Sequence, residues 1–364
     1  MSTNLKVYKS INPFVLENGQ SIDNLDIAYQ TFGNLDRDKS NVIWVCHALT
    51  ANSNVLEWWP QFFGVGKLFD PEKHFIVCPN SIGSCYGSTG PTTFEKSGPL
   101  LSNFPLFTTR DMAKAHERLR NYLGLDEIQT LIGASLGGQQ AVEWAIDTPE
   151  RFKNLVLIAT NAEHSPYGIA FNESQRLAIF SDPTYGKIDG GKSGLKIARS
   201  IALLSYRSYK GYLNTQSEES NNVTDNFKAS SYQRYQGEKL AQRFDAHSYV
   251  ALTKAMDSHN VGRGRESIVA ALVRITANTL VIGISSDQLF PPAEQKRLAR
   301  YIPNSNYYEV DSDYGHDGFL VESKELEQVL ADFIYNDFKR CKKTTFKSKS
   351  TDNVLYDLSQ TFKN

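Results

Sequence analysis

The chain has 364 residues, which at roughly 100–200 residues per domain allows one large domain or two modest ones. Hydrophobic residues make up 40% and charged residues 22%, values that exclude a disordered, collagenous or coiled-coil chain. Lys plus Arg number 39 against 40 Asp plus Glu, a formal net charge of −1, so no global field draws the protein to nucleic acid or an anionic membrane.

The opening MSTNLKVYKSINPF lacks the charged-then-apolar run of a signal peptide, and no stretch approaches the ~18 apolar residues of a membrane span. A cytoplasmic location is the expectation. Cys46, Cys78, Cys85 and Cys341 include no CxxC pair, which argues against a zinc ribbon or a disulfide framework and for reduced thiols.

Short β-branched runs at Val42–Cys46, Phe75–Cys78, Ile128–Ile132 and Leu155–Ile158 predict strands buried on both faces. Between the second and third, Thr109–Leu123 predicts a helix with Met112, Ala115, Leu119 and Leu123 on one side and Gly124 as terminator. The rhythm pauses over residues 165–277. Helical segments such as Gly194–Leu204 and Lys239–Phe244 alternate there with polar loops. It resumes with a strand at Thr279–Ile284, a helix at Pro292–Tyr301, a strand at Asn306–Val310 and a helix from about Glu322 to Phe338. The expectation is an α/β fold, a mostly parallel sheet flanked by helices. Residues 1–164 and 278–340 form its core, 165–277 an inserted helical lid over the ligand-binding edge, and 341–364 a solvated tail rich in Lys.

Gly133-Ala-Ser135-Leu-Gly137-Gly138 follows the strand ending at Ile132 and opens a helical pattern. A strand that turns abruptly into a helix leaves the serine at its apex, with glycines where side chains would clash. The plainer reading, a glycine-rich turn whose serine caps a helix, seldom coincides with such a junction. A neutral hydroxyl is a poor nucleophile, so this reading requires an acid and then a histidine further along the chain. Asp287 follows the strand ending at Ile284, and His316 stands in Tyr314-Gly-His-Asp-Gly-Phe319 after the strand ending at Val310. Asp311 and Asp313 are rival acids but lie very near His316. The remaining histidines read as structural, with His47 shaping the loop His47-Ala-Leu-Thr50. Oxyanion donors are expected from the backbone N–H groups of Leu136 and Leu49.

Gly186-Lys-Ile-Asp-Gly-Gly-Lys192-Ser193 satisfies GxxxxGK[ST], but Phe180–Tyr185 carries a proline where a phosphate-binding loop needs a hydrophobic strand. Gly64-Val-Gly66 and Gly262-Arg-Gly264 lack the third glycine of a dinucleotide loop. His247 and His259 have no ligand spacing for a metal, and no metal is expected.

Taken together, the residues resemble the homoserine O-acetyltransferases of the α/β-hydrolase superfamily, from about Ile27 to Phe333. The resemblance rests on His47–Thr50, Trp58-Trp59, Gly66–Pro71, Cys85–Pro91, Gly133–Gly138, Tyr235–Gly237, Arg243–Ala246, Val261–Gly264 and Tyr314–Phe319. It implies an α/β-hydrolase fold and a catalytic triad of Ser135, Asp287 and His316. It also implies substrate-binding roles for Arg199 and Asp317. Homoserine is a zwitterion whose carboxylate suits a guanidinium and whose ammonium suits a carboxylate. The implied reaction is ping-pong transfer of acetyl from acetyl-CoA, a co-substrate rather than a cofactor, to L-homoserine for methionine synthesis, by a homodimer joined through the inserted helices. Ala51-Asn-Ser-Asn54 departs from the Gly-Asp and histidine of many relatives and keeps succinyl-CoA as a competing donor. A serine esterase on the same triad and an idle binding scaffold are the other readings.

Overall fold

The computed structural model describes residues 4–96 and 98–335, so the tail expected at 341–364 lies outside the described residues. Eight strands build the central sheet: β1 (Lys6–Lys9), β2 (Asp26–Phe32), β3 (Val42–Cys46), β4 (Phe75–Pro79), β5 (Ile128–Ala134), β6 (Phe152–Ile158), β7 (Asn278–Ile284) and β8 (Ser305–Val310). In space they run β1-β2-β4-β3-β5-β6-β7-β8. From β4 through β8 every neighbouring pair is parallel. β2 pairs antiparallel with both β1 and β4. This antiparallel edge is not predicted from the sequence, because β1 is a run of four mostly exposed residues with a lysine at each end.

The buried strands show why their sequences read as continuous apolar runs. In β3, Val42, Trp44 and Cys46 enter one core layer while Ile43 and Val45 enter the other, and all five are sealed from solvent.

The helices are α1 (Val55–Trp58), α2 (Thr109–Tyr122), α3 (Leu136–Asp147), α4 (Pro166–Phe180), α5 (Lys192–Tyr206), α6 (Tyr209–Gln216), α7 (Lys228–Ala241), α8 (Ala246–Asp257), α9 (Ile268–Leu272), α10 (Pro292–Tyr301), α11 (Gly318–Val321) and α12 (Ser323–Tyr335). One face of the sheet is covered by α2, α3 and α10 through Met112, Leu119, Val142 and Leu298. The other is covered by α1 and α12 through Val55, Leu326, Leu330 and Phe333. α2 starts where Thr108 and Asp111 satisfy each other's backbone N–H groups, a reciprocal cap that fixes the helix entry.

Helices α4 to α9 lie between β6 and β7, which are neighbours in the sheet. The helix expected at Gly194–Leu204 falls within α5. The one expected at Lys239–Phe244 is corrected: α7 ends at Ala241, and Asp245 accepts the Ser248 N–H to cap a new helix, α8. Gly186–Ser193 follows a helix and a run of turns, not a strand, so it lacks the frame of a phosphate cradle. Among the described residues no helix is long and apolar enough to cross a membrane.

Candidate active site

β5 runs through Gly133 and Ala134, and α3 begins at the next residue but one. Ser135, between them, has φ 57° and ψ −126°, a backbone state that side chains rarely adopt. It is held there by hydrogen bonds from its N–H to Ile158 O (3.0 Å) and to its carbonyl from Thr160 Oγ1 (2.9 Å). The bend also demands close approach: a Cβ on Gly137 would sit 2.0 Å from Cys46 O. The first turn of α3 therefore lies directly against the end of β3 and the loop that follows.

Ser135, Asp287 and His316 come together, although they follow three different strands. His316 Nε2 is 2.9 Å from Ser135 Oγ and His316 Nδ1 is 2.6 Å from Asp287 Oδ2. The other Asp287 oxygen accepts the N–H groups of Leu289 and Phe290, both at 2.9 Å. That carboxylate is therefore fixed in orientation and reserves one oxygen for the imidazole. All three residues are buried. Phe290 stacks on the His316 ring at 5.0 Å, and Phe319 and Tyr206 approach it at 5.4 and 5.7 Å. Burial pulls the His316 pKa down, but the charge and hydrogen bond of Asp287, with a smaller pull from Asp317, raise it above the ordinary imidazole value. The rival acid Asp311 instead accepts the Ser285 hydroxyl at 2.9 Å, and Asp313 pairs with Lys210 at 2.9 Å.

The N–H groups of Leu49 and Leu136 have no acceptor among the described residues. Leu136 is the first residue of α3, where the helix dipole favours negative charge. Leu49 lies on the loop after β3, shaped by His47. His47 Nδ1 donates to Ala48 O (2.8 Å), so its Nε2 accepts the Ser81 N–H (3.0 Å). Burial pulls the His47 pKa down to about 4, which makes it a neutral strut between two loops. Ala51–Asn54 is tied down too, with the Ser53 N–H on Asn80 Oδ1 (2.7 Å) and Trp58 Nε1 on Asn52 O (2.9 Å).

Arg199 lies one ring away from the histidine: its guanidinium carbon is 5.3 Å from the centre of the Tyr206 ring. Asp317 Oδ2 lies 2.9 Å from Arg207 Nε.

The sequence reading missed several of these residues. Arg207 and Tyr206 end an amphipathic helix with nothing in their spacing to mark them. Arg243 donates to Thr50 O (2.6 Å) and to the Tyr86 hydroxyl (2.7 Å), bracing the loop that carries Leu49. Glu294, reached by Asn161 Nδ2 at 2.9 Å, has its pKa pushed up to about 7, chiefly by burial with a further push from Asp287. The other buried histidines serve elsewhere. His164 packs on Phe290 (5.6 Å), with its pKa lowered to about 4 by burial. His259 sits between Thr109 Oγ1 and Asn161 O, and His247 Nε2 bonds Lys187 O.

Residues 41–323 match the family described as alpha/beta hydrolase fold. The chain is 48% identical over 322 residues to a homoserine O-acetyltransferase of Cyclobacterium marinum, covering 87% of this chain and 92% of the relative. Among solved structures, homoserine O-acetyltransferase from Staphylococcus aureus superposes with a TM-score of 0.76 at 29% identity, over 94% of this chain and 96% of that one. Esterase E22 superposes at 0.82 with 21% identity, over 91% and 99%, a likeness of fold alone.

Proposed function

Because this chain belongs to the homoserine O-acetyltransferase family of α/β-hydrolase-fold acyltransferases, we propose that it moves the acetyl group of acetyl-CoA to the hydroxyl of L-homoserine, in methionine biosynthesis. The observation that carries the reading is the buried Ser135–His316–Asp287 relay, with hydrogen-bonding distances of 2.9 and 2.6 Å.

His316 Nε2 takes the Ser135 proton as Oγ attacks the thioester carbonyl. Negative charge develops on the carbonyl oxygen, toward the N–H groups of Leu49 and Leu136. Asp287 stabilises the imidazolium, which then returns its proton to the departing thiolate of CoA. The acetyl-serine ester remains. The homoserine hydroxyl, its carboxylate on Arg199 and its ammonium on Asp317, gives its proton to His316 and attacks the ester. Collapse releases O-acetyl-L-homoserine and restores Ser135. The scheme needs acetyl-CoA as co-substrate, with no metal or resident cofactor, in a cytoplasmic enzyme. Burial of Ser135 favours a bound alcohol over water as acceptor.

A homodimer joined through the inserted helices is part of the proposal. Leu177 and Phe180 on α4 and Ile197 and Leu204 on α5 are exposed at 58%, 43%, 53% and 56%, an apolar surface of the kind that marks an interface. Light scattering that returns a monomer at micromolar concentration removes that part.

The deciding experiment is a coupled assay of the purified protein with acetyl-CoA or succinyl-CoA against homoserine, serine and water. The expected result is fastest turnover with acetyl-CoA and homoserine, with parallel double-reciprocal lines. Faster turnover with succinyl-CoA, or CoA release independent of any acceptor, overturns it.

A further inference from the structure

The lid and the histidine loop meet in a tight seam. A Cβ on Gly315, which has φ 66°, would lie 2.8 Å from both Ser208 N and Tyr206 O. The Ser208 hydroxyl donates to Asp313 O, and Lys210 pairs with Asp313. Residue 207 is therefore held against residues 315–317 by contacts on both sides of it in the chain.

Arg207 brings a second guanidinium to the place where Arg199 and Asp317 already stand. Its Nε is 2.9 Å from Asp317 Oδ2, yet that N–H is not aligned for a hydrogen bond. The contact is therefore one of charge, and the donors of the fork stay uncommitted. Arg199, unlike Arg207, has no ion pair among the described residues, only its place over Tyr206. The Tyr212 hydroxyl is buried with no hydrogen-bond partner among the described residues and feels the charges of Arg207, Asp317 and Arg199 together. Two partly buried cations with uncommitted donors thus stand near the histidine loop, one against Asp317 and the other over Tyr206. The group that balances them is an anion.

We propose that Arg207 is a second binding residue for the carboxylate of the acceptor, working with Arg199, so that the site selects acceptors that carry a carboxylate. The inference rests on the amino-acid acceptor put forward above. A single guanidinium offset by Asp317 would leave the pocket neutral and equally open to a cationic amino alcohol. With Arg207 the pocket holds a surplus positive charge, which attracts a carboxylate and repels a bare ammonium.

The test compares L-homoserine with 3-aminopropan-1-ol, the same acceptor without its carboxylate, in wild type, Arg207→Gln and Arg207→Lys. The p-nitrophenol burst from p-nitrophenyl acetate counts folded, acylation-competent sites. For Arg207→Gln the KM for homoserine should rise about ten-fold or more, with kcat far less affected. The preference for homoserine over the amino alcohol should fall by at least the same factor. Arg207→Lys should recover part of that preference, since it restores charge without the fork. An unchanged preference ratio in Arg207→Gln, whatever the loss in absolute rate, overturns the inference and makes the residue structural. Loss of the burst in both variants does the same. A wild-type protein that acylates neither acceptor overturns the acceptor reading itself, and this inference with it.

Discussion

At Ser135 the backbone stores strain in order to present one oxygen atom. A non-glycine residue at φ 57° costs of order 1–3 kcal/mol, and the two hydrogen bonds to its backbone hold it there. Ser135→Ala should abolish acyl transfer while leaving the strain in place. Ser135→Gly should abolish transfer too, yet unfold in denaturant with a stability about 1 kcal/mol above the alanine variant. Equal stabilities would deny the strain. The meeting of Ser135 with His316 was legible from glycine spacing at a strand-helix junction and from chain order. What could not be read was the packing that sets their chemistry. Phe290 and Phe319, which shield the ring, and Leu289, which orients Asp287, are ordinary apolar residues until folding places them. That environment predicts a pH dependence. The proposed reaction needs neutral His316, whose pKa is raised, so activity should climb with pH through a value above the ordinary 6.5. In Asp287→Asn the burial remains and the opposing charge is gone. The ceiling should drop by about 10⁴ in kcat while the acid limb moves to lower pH. An acid limb unmoved in that variant counts against Asp287 as the residue that raises the imidazole.

Among the elements, the loop after β3 depends on a contact from far along the chain. Arg243 leaves the turn between α7 and α8 and donates to the Thr50 carbonyl at 2.6 Å, next to the Leu49 N–H proposed as an oxyanion donor. Arg243→Ala should lower the acylation rate about ten-fold or more, measured as the burst rate with p-nitrophenyl acetate, with the far-ultraviolet circular dichroism unchanged. A burst at the wild-type rate removes Arg243 from this role. The sequence reading ran a helix through Arg243. Local periodicity joined Lys239 to Phe244, whereas Asp245 actually starts a new helix with its own side chain. The core strands were legible for the opposite reason. Each is buried on both faces, so its apolar run stands out locally, while the edge strand β1 has three of its four residues exposed.

For the molecule as a whole, one ion-pair network ties the return from the inserted helices to the sheet's flanking helices. Glu17 pairs with Arg110 (2.6 Å) and Arg263 (2.9 Å), and Glu143 with Arg110 (3.2 Å) and Arg265 (2.9 Å); Arg265 also reaches Asp147 at 2.6 Å. None of this was legible, because the partners are brought together from the N-terminus, α2, α3 and the segment before α9. Burial opposes the charge on Glu17, but hydrogen bonds from Arg263 and Thr108 and the charges of both arginines win and hold its pKa at about 2, against 4.5 unperturbed. A depressed carboxylate pKa stabilises the fold above about pH 4.5, and that contribution, at most about 3 kcal/mol, fades as pH falls toward 2. Glu17→Gln should therefore cost roughly 1–3 kcal/mol at pH 7, and the gap from wild type should close on acidification. A gap independent of pH would show that Glu17 stabilises by packing alone.

The placement of helices α4 to α9 between β6 and β7 also orders events during synthesis. Ser135 is translated before these helices, and both Asp287 and His316 after them. A nascent chain that has emerged from the ribosome only as far as α9 therefore holds Ser135 without His316. The pair at the bend is complete only once β8 has closed the sheet and carried His316 across to Ser135.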